Sequence, residues 1–116
     1  YRVPTLIKWP GVIKPGTVYN DEMESIAFER IGLSNTPTNS LKGFFGHTLG
    51  AAGLLEMAIS MQSIRNNVII KSQGFNNTGV TGEIDILKKN IEKKMRVVLK
   101  TASGFGGCNV SAIIKK

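Results

Sequence analysis

Five residues of this chain have side chains suited to transfer chemistry at spacings that a fold could use: Lys42, His47, Glu56, Phe105 and Cys108. His47 is the only histidine and Cys108 the only cysteine. His47 follows Gly46 where the pattern places the start of a long helix, and a helix start offers unpaired N–H groups and partial positive charge. There a neutral imidazole can donate a hydrogen bond to a carbonyl or an oxyanion. Position alone favours the plainer reading, a capping or structural histidine. Glu56 lies nine positions further on, about half a turn round the helix, among apolar neighbours. If buried it needs a cation, which Lys42 has the reach to supply; otherwise it points to solvent.

Gly104-Phe105-Gly106-Gly107 places an aromatic at the tip of a glycine-rich turn. One reading is a backbone that approaches a ligand closely, with Phe105 as a movable cover; the other is an ordinary tight hairpin, favoured by the turn alone. The run is too short for a dinucleotide fingerprint. Cys108 has no local base to activate it, so it reads as a small buried hydrophobe rather than a nucleophile. A lone histidine and a lone cysteine exclude a Cys/His zinc cluster and an internal disulfide, and no metal or other cofactor is expected.

The elements that must carry these groups follow from pattern. Residues 5–9 read as a strand, and Pro10-Gly11 and Pro15-Gly16 as a looped connection. Asn20-Asp21 reads as a helix start, with Glu24 three residues later as in a capping box and Gly32 as the stop. Residues 33–41, rich in Ser, Thr, Asn and Pro, form a loop with room for one short buried strand. From His47 to about Arg65 the apolar residues cover nearly the whole helical circumference, the mark of a helix buried on several sides. Val68-Ile69-Ile70 is a short strand, Ser72–Gly82 a polar excursion and Lys88–Lys94 a basic solvated turn. Strands over 96–102 and 109–114 close the chain as a hairpin around the glycine-rich tip.

With 116 residues the chain fits one α/β domain, residues 1–116. Fifteen Lys and Arg against eight Asp and Glu give a net charge of +7, concentrated toward the C-terminal end. Nucleic-acid binding would call for interleaved aromatics or a recognisable module, and neither is present, so a solvated face or a dock for an acidic protein fits better. Gly43–Met61 is the one stretch apolar enough to consider as a membrane span, and His47 and Glu56 inside it argue against that. No secretory signal is visible at Tyr1–Pro4, and a cytoplasmic setting is expected.

The run Lys42-Gly-Phe-Phe-Gly-His47-Thr-Leu-Gly-Ala-Ala-Gly-Leu-Leu-Glu56 closely resembles the β-ketoacyl-acyl carrier protein synthases. Their pattern is a Lys, four residues, a His, then x-x-Gly-Ala-Ala-Gly and a Glu. Gly104-Phe-Gly-Gly-Cys-Asn109 is similar to their Gly-Phe-Gly-Gly-Thr-Asn tail, and Asn20-Asp21-x-x-Glu24 to their Asn-Asp-x-x-Glu helix start. The three matches occur in family order. The resemblance implies the C-terminal half of a thiolase-like fold, a mixed sheet with a buried central helix, completed by a missing N-terminal half. It implies a 3-oxoacyl synthase that joins an acyl thioester to malonyl-acyl carrier protein by decarboxylative Claisen condensation. It gives His47 the malonyl thioester carbonyl, pairs Lys42 with Glu56, and makes Phe105, with Gly104, Gly106 and Gly107, the gate on the acyl site. Acyl carrier protein, the upstream half and further copies of the chain are the partners it implies.

Two departures stand against the family pattern. The family's nucleophilic cysteine belongs to the missing half, and Cys108 occupies a position usually held by Thr. The second active-site histidine is replaced by Pro10 in one register and Pro15 in another. The alternative is therefore a non-catalytic partner of the chain-length-factor kind, or a pseudoenzyme that docks acyl carrier protein. On either reading the isolated chain is expected to be inactive.

Overall fold

The computed structural model describes residues 5–7, 18–77, 79–104 and 107–116, without the side chains of 5–7 and 18–20. The chain runs β1 (Thr5–Ile7), α1 (Val18–Arg30), α2 (Lys42–Phe45), a 3-10 turn (Leu49–Ala51), α3 (Ala52–Asn66), β2 (Val68–Ile69), β3 (Ile91–Glu92), β4 (Val97–Ser103) and β5 (Asn109–Lys115). The α/β class expected from the sequence is what forms. Pro10, Pro15, Phe105 and Gly106 lie outside the described residues.

The main sheet has the order β1-β4-β5. β1 runs parallel to β4, with Leu6 opposite Lys100. β4 and β5 form the expected antiparallel hairpin, in register from Val97↔Lys115 to Ser103↔Asn109. Gly104 N–H donates to the Cys108 carbonyl at 2.8 Å, and Gly107 takes a φ of 82°, so the glycines serve the turn directly. Central β4 alternates: Val98 and Lys100 are buried on one face, while Val97, Leu99, Thr101 and Ser103 are half-buried on the other.

The core is small. Ile64 from α3, Ile69, Leu87, Met95 and Val98 are buried together, with Ile91 and Ile114 packed against them. β2 and β3 form a two-residue antiparallel pair beside this core. The turn expected over Lys88–Lys94 thus contains β3 and leads into fully buried Met95.

The 33–41 loop does hold a buried stretch, from Thr36 to Leu41, with a bridge residue at Thr38. Thr38 forms a single parallel bridge with Ile86. Around it, Thr38 N–H donates to Asp85 O, Leu87 N–H to Thr38 O and Ser72 N–H to Leu87 O. Asn39 Nδ2 donates to Ile70 O, and Ser40 N–H to Ser72 Oγ. These bonds satisfy a polar segment that packing keeps from water. They also deliver Lys42 to the interior.

α3 differs from its expectation in two ways. It starts at Ala52, five residues after His47, because Gly46 (φ 74°) and Leu49 (φ 50°) break the path that a continuous helix would take. Its buried face is also mostly small and polar: Ala52, Glu56, Ser60, Ser63 and Ile64. The larger apolar side chains point the other way, with Leu54 77% and Met61 50% exposed within this chain. Only one side of the helix is covered by its own sheet.

Candidate functional site

Each of α1, α2, α3 and β4 buries charged side chains: Asp21 and Glu24, Lys42, Glu56 and Lys100. Asp21, in the first turns of α1, is buried, and its Oδ1 has no hydrogen-bond partner among the described residues. Burial, then the negative charge of Glu24, push its pKa up to about 7, while the ammonium of Lys42 pulls it down. Glu24 is buried too and accepts a hydrogen bond from Ser103 Oγ at 2.6 Å. This corrects the capping-box reading: α1 already begins at Val18, so Glu24 is not its N3 residue, and its carboxylate serves a strand 79 positions away.

Lys42, the first residue of α2, is buried with its ammonium acting on Asp21. The resemblance pairs it with Glu56; the ion pair found at Glu56 is with Lys100. Lys100 Nζ lies 2.7 Å from Glu56 Oε2, with side chains 6% and 2% exposed. Neither Glu56 oxygen has a donor in hydrogen-bond geometry among the described residues, so the contact is held by charge. Lys100 Nζ also donates to the Thr101 carbonyl. Ser60 Oγ, one turn below Glu56, back-bonds to the Glu56 carbonyl at 2.7 Å.

His47 sits in the connection between α2 and the 3-10 turn, exposed in this chain, rather than on the helix. Leu49 N–H donates to its Nδ1 at 3.0 Å. A ring nitrogen that accepts cannot carry the proton, so the hydrogen bond assigns the neutral imidazole proton to Nε2. Leu49 reaches this position in a left-handed conformation that a branched side chain adopts only at a cost. Together Gly46 and Leu49 hold His47 in a tight turn with a defined tautomer.

Of the glycine-rich loop, Gly104 and Gly107 are described and flank the tip. Cys108 is exposed, not a buried hydrophobe, because it precedes the outward-facing end of β5. Sequence reasoning treated Asp21 and Glu24 as helix-start residues and missed them as site residues. It missed Lys100 as well, although a lysine two positions from Val98 in an alternating strand is the signal of an inward cation. Among the described residues no group of three or more His, Cys, Asp and Glu could hold a metal ion. No helix among them is long and apolar enough to cross a membrane.

The family profile described as "Beta-ketoacyl synthase, C-terminal domain" matches residues 13–76, more than half of the chain and the part that carries Lys42, His47 and Glu56. The chain belongs to the beta-ketoacyl synthase family. The ketoacyl synthase alpha subunit of the tetracenomycin polyketide synthase from Streptomyces glaucescens is 34% identical over 106 residues, which is 87% of this chain and 25% of that protein. The 3-oxoacyl-[acyl-carrier-protein] synthase 2 of Rhizobium meliloti is 34% identical over 100 residues, 83% of this chain and 24% of that one. Among solved structures, a ketosynthase in complex with its chain length factor from Xenorhabdus doucetiae superposes with a TM-score of 0.78 at 31% identity, over 97% of this chain and 28% of that chain. The thiolase-like ketosynthase fold is therefore shared, and this ketoacyl synthase C-terminal domain spans about a quarter of the length of the curated relatives it matches.

Proposed function

We propose that this chain furnishes the carbonyl-binding half of a 3-oxoacyl synthase site, with His47 Nε2–H as the donor to the malonyl thioester oxygen. The observation that carries the reading is the Leu49 N–H to His47 Nδ1 hydrogen bond, which leaves the ring proton on the other nitrogen. In decarboxylative condensation the C–CO2 bond of the malonyl group breaks and its electron pair forms an enolate. A fixed N–H donor stabilises the charge gathering on the thioester oxygen. The enolate carbon then attacks the acyl thioester, and the thiolate leaves. The nucleophile that holds the acyl group is assigned to an upstream half of the same enzyme, since Cys108 has no activating base in sequence and lies exposed at the hairpin.

Lys42 sets the charge around Asp21 and Glu24, and Glu56 anchors α3 beside them. Phe105 with Gly104, Gly106 and Gly107 gates the acyl site in this reading. The exposed Leu49, Leu54, Leu55 and Met61 are the surface against which the upstream half would pack. Acyl carrier protein is the thioester donor, and the excess of lysines suits its acidic surface. No cofactor is required, and the setting is the cytoplasm.

The test uses acyl- and malonyl-acyl carrier protein. The isolated 116-residue chain should not turn over. Joined to an upstream half that carries the nucleophile, it should decarboxylate malonyl thioester, and His47→Ala should lower that rate at least 100-fold. Robust condensation by the isolated chain, or no effect of His47→Ala, would sink the reading. A second reading is favoured by Pro10 and Pro15 at the candidate positions of the other histidine: a non-catalytic, chain-length-factor-like partner. Activity that appears only after Pro10→His or Pro15→His would support it.

A further inference from the structure

The polar excursion between β2 and β3 is held in two different ways. Its first part is anchored. Ser72 N–H donates to Leu87 O at 2.9 Å, and the Gln73 backbone lies against Gly43 of α2. Lys88 Nζ donates to Asn76 O at 2.9 Å and stands 5.6 Å from the centre of the Phe75 ring. Beyond Glu83 the chain is anchored again, where Asp85 O accepts from Thr38 N–H and Ile86 bridges Thr38. Between these anchors, residues 81–83 lie on α1.

Three consecutive residues there meet one side of the helix in order. Thr81 gives its N–H, at 2.9 Å, and its hydroxyl to the two carboxylate oxygens of Glu22. Gly82 lies against Ser25, and Glu83 N–H donates to Glu29 Oε2 at 3.4 Å. Glu22, Ser25 and Glu29 are three and four residues apart, so they form one stripe. Gly82 is buried and has no room for a side chain: a Cβ there would lie 2.6 Å from Ser25 Oγ and 2.7 Å from the Ser25 carbonyl carbon. Ser25 is wholly buried, and its hydroxyl is satisfied within the helix, donating to Glu22 O at 2.8 Å.

This contact is tight in shape but weak in hold. None of residues 79–83 belongs to the apolar core, and Gly79, Thr81, Glu83 and Glu29 are exposed. Their hydrogen bonds exchange for water when the segment lifts, and the Ser25 hydroxyl keeps its partner, so lifting orphans no polar group named above.

We propose that residues 79–83 form a strap that opens on its own, with Glu22 as its latch, and that opening bares Ser25 while the core stays folded. Segments with exposed hydrogen bonds and few apolar contacts open at a fraction of the global free energy. The side it bares carries site groups. Asp21 lies one turn before Ser25, and Glu24, bonded to Ser103, is its neighbour in the helix. The bearing of the strap on synthesis rests on the functional reading above; its opening does not.

The experiment puts the single thiol of the full 116-residue chain at position 25, by Ser25→Cys with Cys108→Ala. Its reaction with a small aromatic disulfide is followed from zero urea to the foot of the unfolding transition, and global unfolding of the same variant is measured by circular dichroism. The labelling rate should stay flat in urea across that range, because local opening exposes little surface. Adding Glu22→Ala should raise it about tenfold, the loss of bonds to a carboxylate. Adding Ile69→Val, which weakens the core, should leave it unchanged. A rate that climbs with urea in step with global unfolding, or one unmoved by Glu22→Ala, overturns the proposal. If Ser25→Cys does not fold, hydrogen exchange over residues 79–84 of the unsubstituted chain and of Glu22→Ala decides by the same criteria. The readout needs no turnover, so an assembled enzyme that condenses nothing overturns the functional reading and leaves the strap standing.

Discussion

Ser103 Oγ and Glu24 Oε1, 79 positions apart in sequence, meet at 2.6 Å and tie the first turns of α1 to the C-terminal end of β4. The bond is charge-assisted and part-buried, the kind worth more than a neutral surface contact. Ser103→Ala removes the donor and keeps the strand's shape. It should cost about 2 kcal/mol of unfolding free energy, read from urea denaturation with an unchanged m-value, because a buried carboxylate loses a partner. A loss below about 0.5 kcal/mol would mean that water or another donor replaces Ser103 without cost.

Asp21 gives the domain a pH dependence of definite sign. Its folded pKa of about 7 stands above the ordinary aspartate value of 3.8, so the folded state binds the proton more tightly. Stability from this group is complete below about pH 4 and declines as pH rises to about 7, then stays flat. Asp21→Asn keeps the shape and removes the titration. It should flatten that decline and raise stability at pH 8 by about 2 kcal/mol, half of the roughly 4 kcal/mol of the full shift, because solvent screens part of the cost. Thermal unfolding of both proteins from pH 4 to pH 8 is the measurement.

Gly43, the second residue of α2, lies against the backbone of Gln73, and a Cβ there would run into the Gln73 carbonyl and its own Cβ. A backbone obstacle cannot rotate away. Gly43→Ala should therefore destabilise by roughly 2 kcal/mol or more, although alanine is the better helix former. Gly53 offers the contrast, since nothing lies within 4 Å of the corresponding Cβ. Gly53→Ala should be stabilising or neutral in the same chemical denaturation series.

The outer face of α3 leaves Leu54 77%, Met61 50% and Leu55 37% exposed, and β5 adds Val110 and Ile113 at 61% and 64%. Apolar area of this kind associates when nothing covers it. The 116-residue chain should self-associate with rising concentration in light scattering. Leu54→Lys with Met61→Lys, seven residues apart on one face, should shift it toward monomer with little loss of stability, because neither side chain is in the core. A strictly monomeric parent chain at high concentration would count against this.

Local sequence determined much of the fold. The β4–β5 hairpin, the helix after the glycine-rich turn and the loop around Gly32 follow from alternation, helical spacing and turn residues, all of which act between near neighbours. The Lys42, His47 and Glu56 spacing was legible as a family motif. What the sequence could not determine was which charges meet. Glu24 has the position of a cap and serves Ser103; Glu56 has Lys42 fourteen positions upstream and meets Lys100, forty-four positions downstream. Those choices belong to the tertiary structure, which sets Glu56 of α3 against the middle of β4 and Glu24 of α1 against its C-terminal end, since only the assembled sheet fixes distance and burial, and these decide the energy of a charge pair. Likewise, the all-round apolar pattern of α3 said that its whole circumference suits burial. The tertiary structure decided which side this chain covers itself, and the side it covers is the polar one, because that is where Lys100 comes up from the sheet.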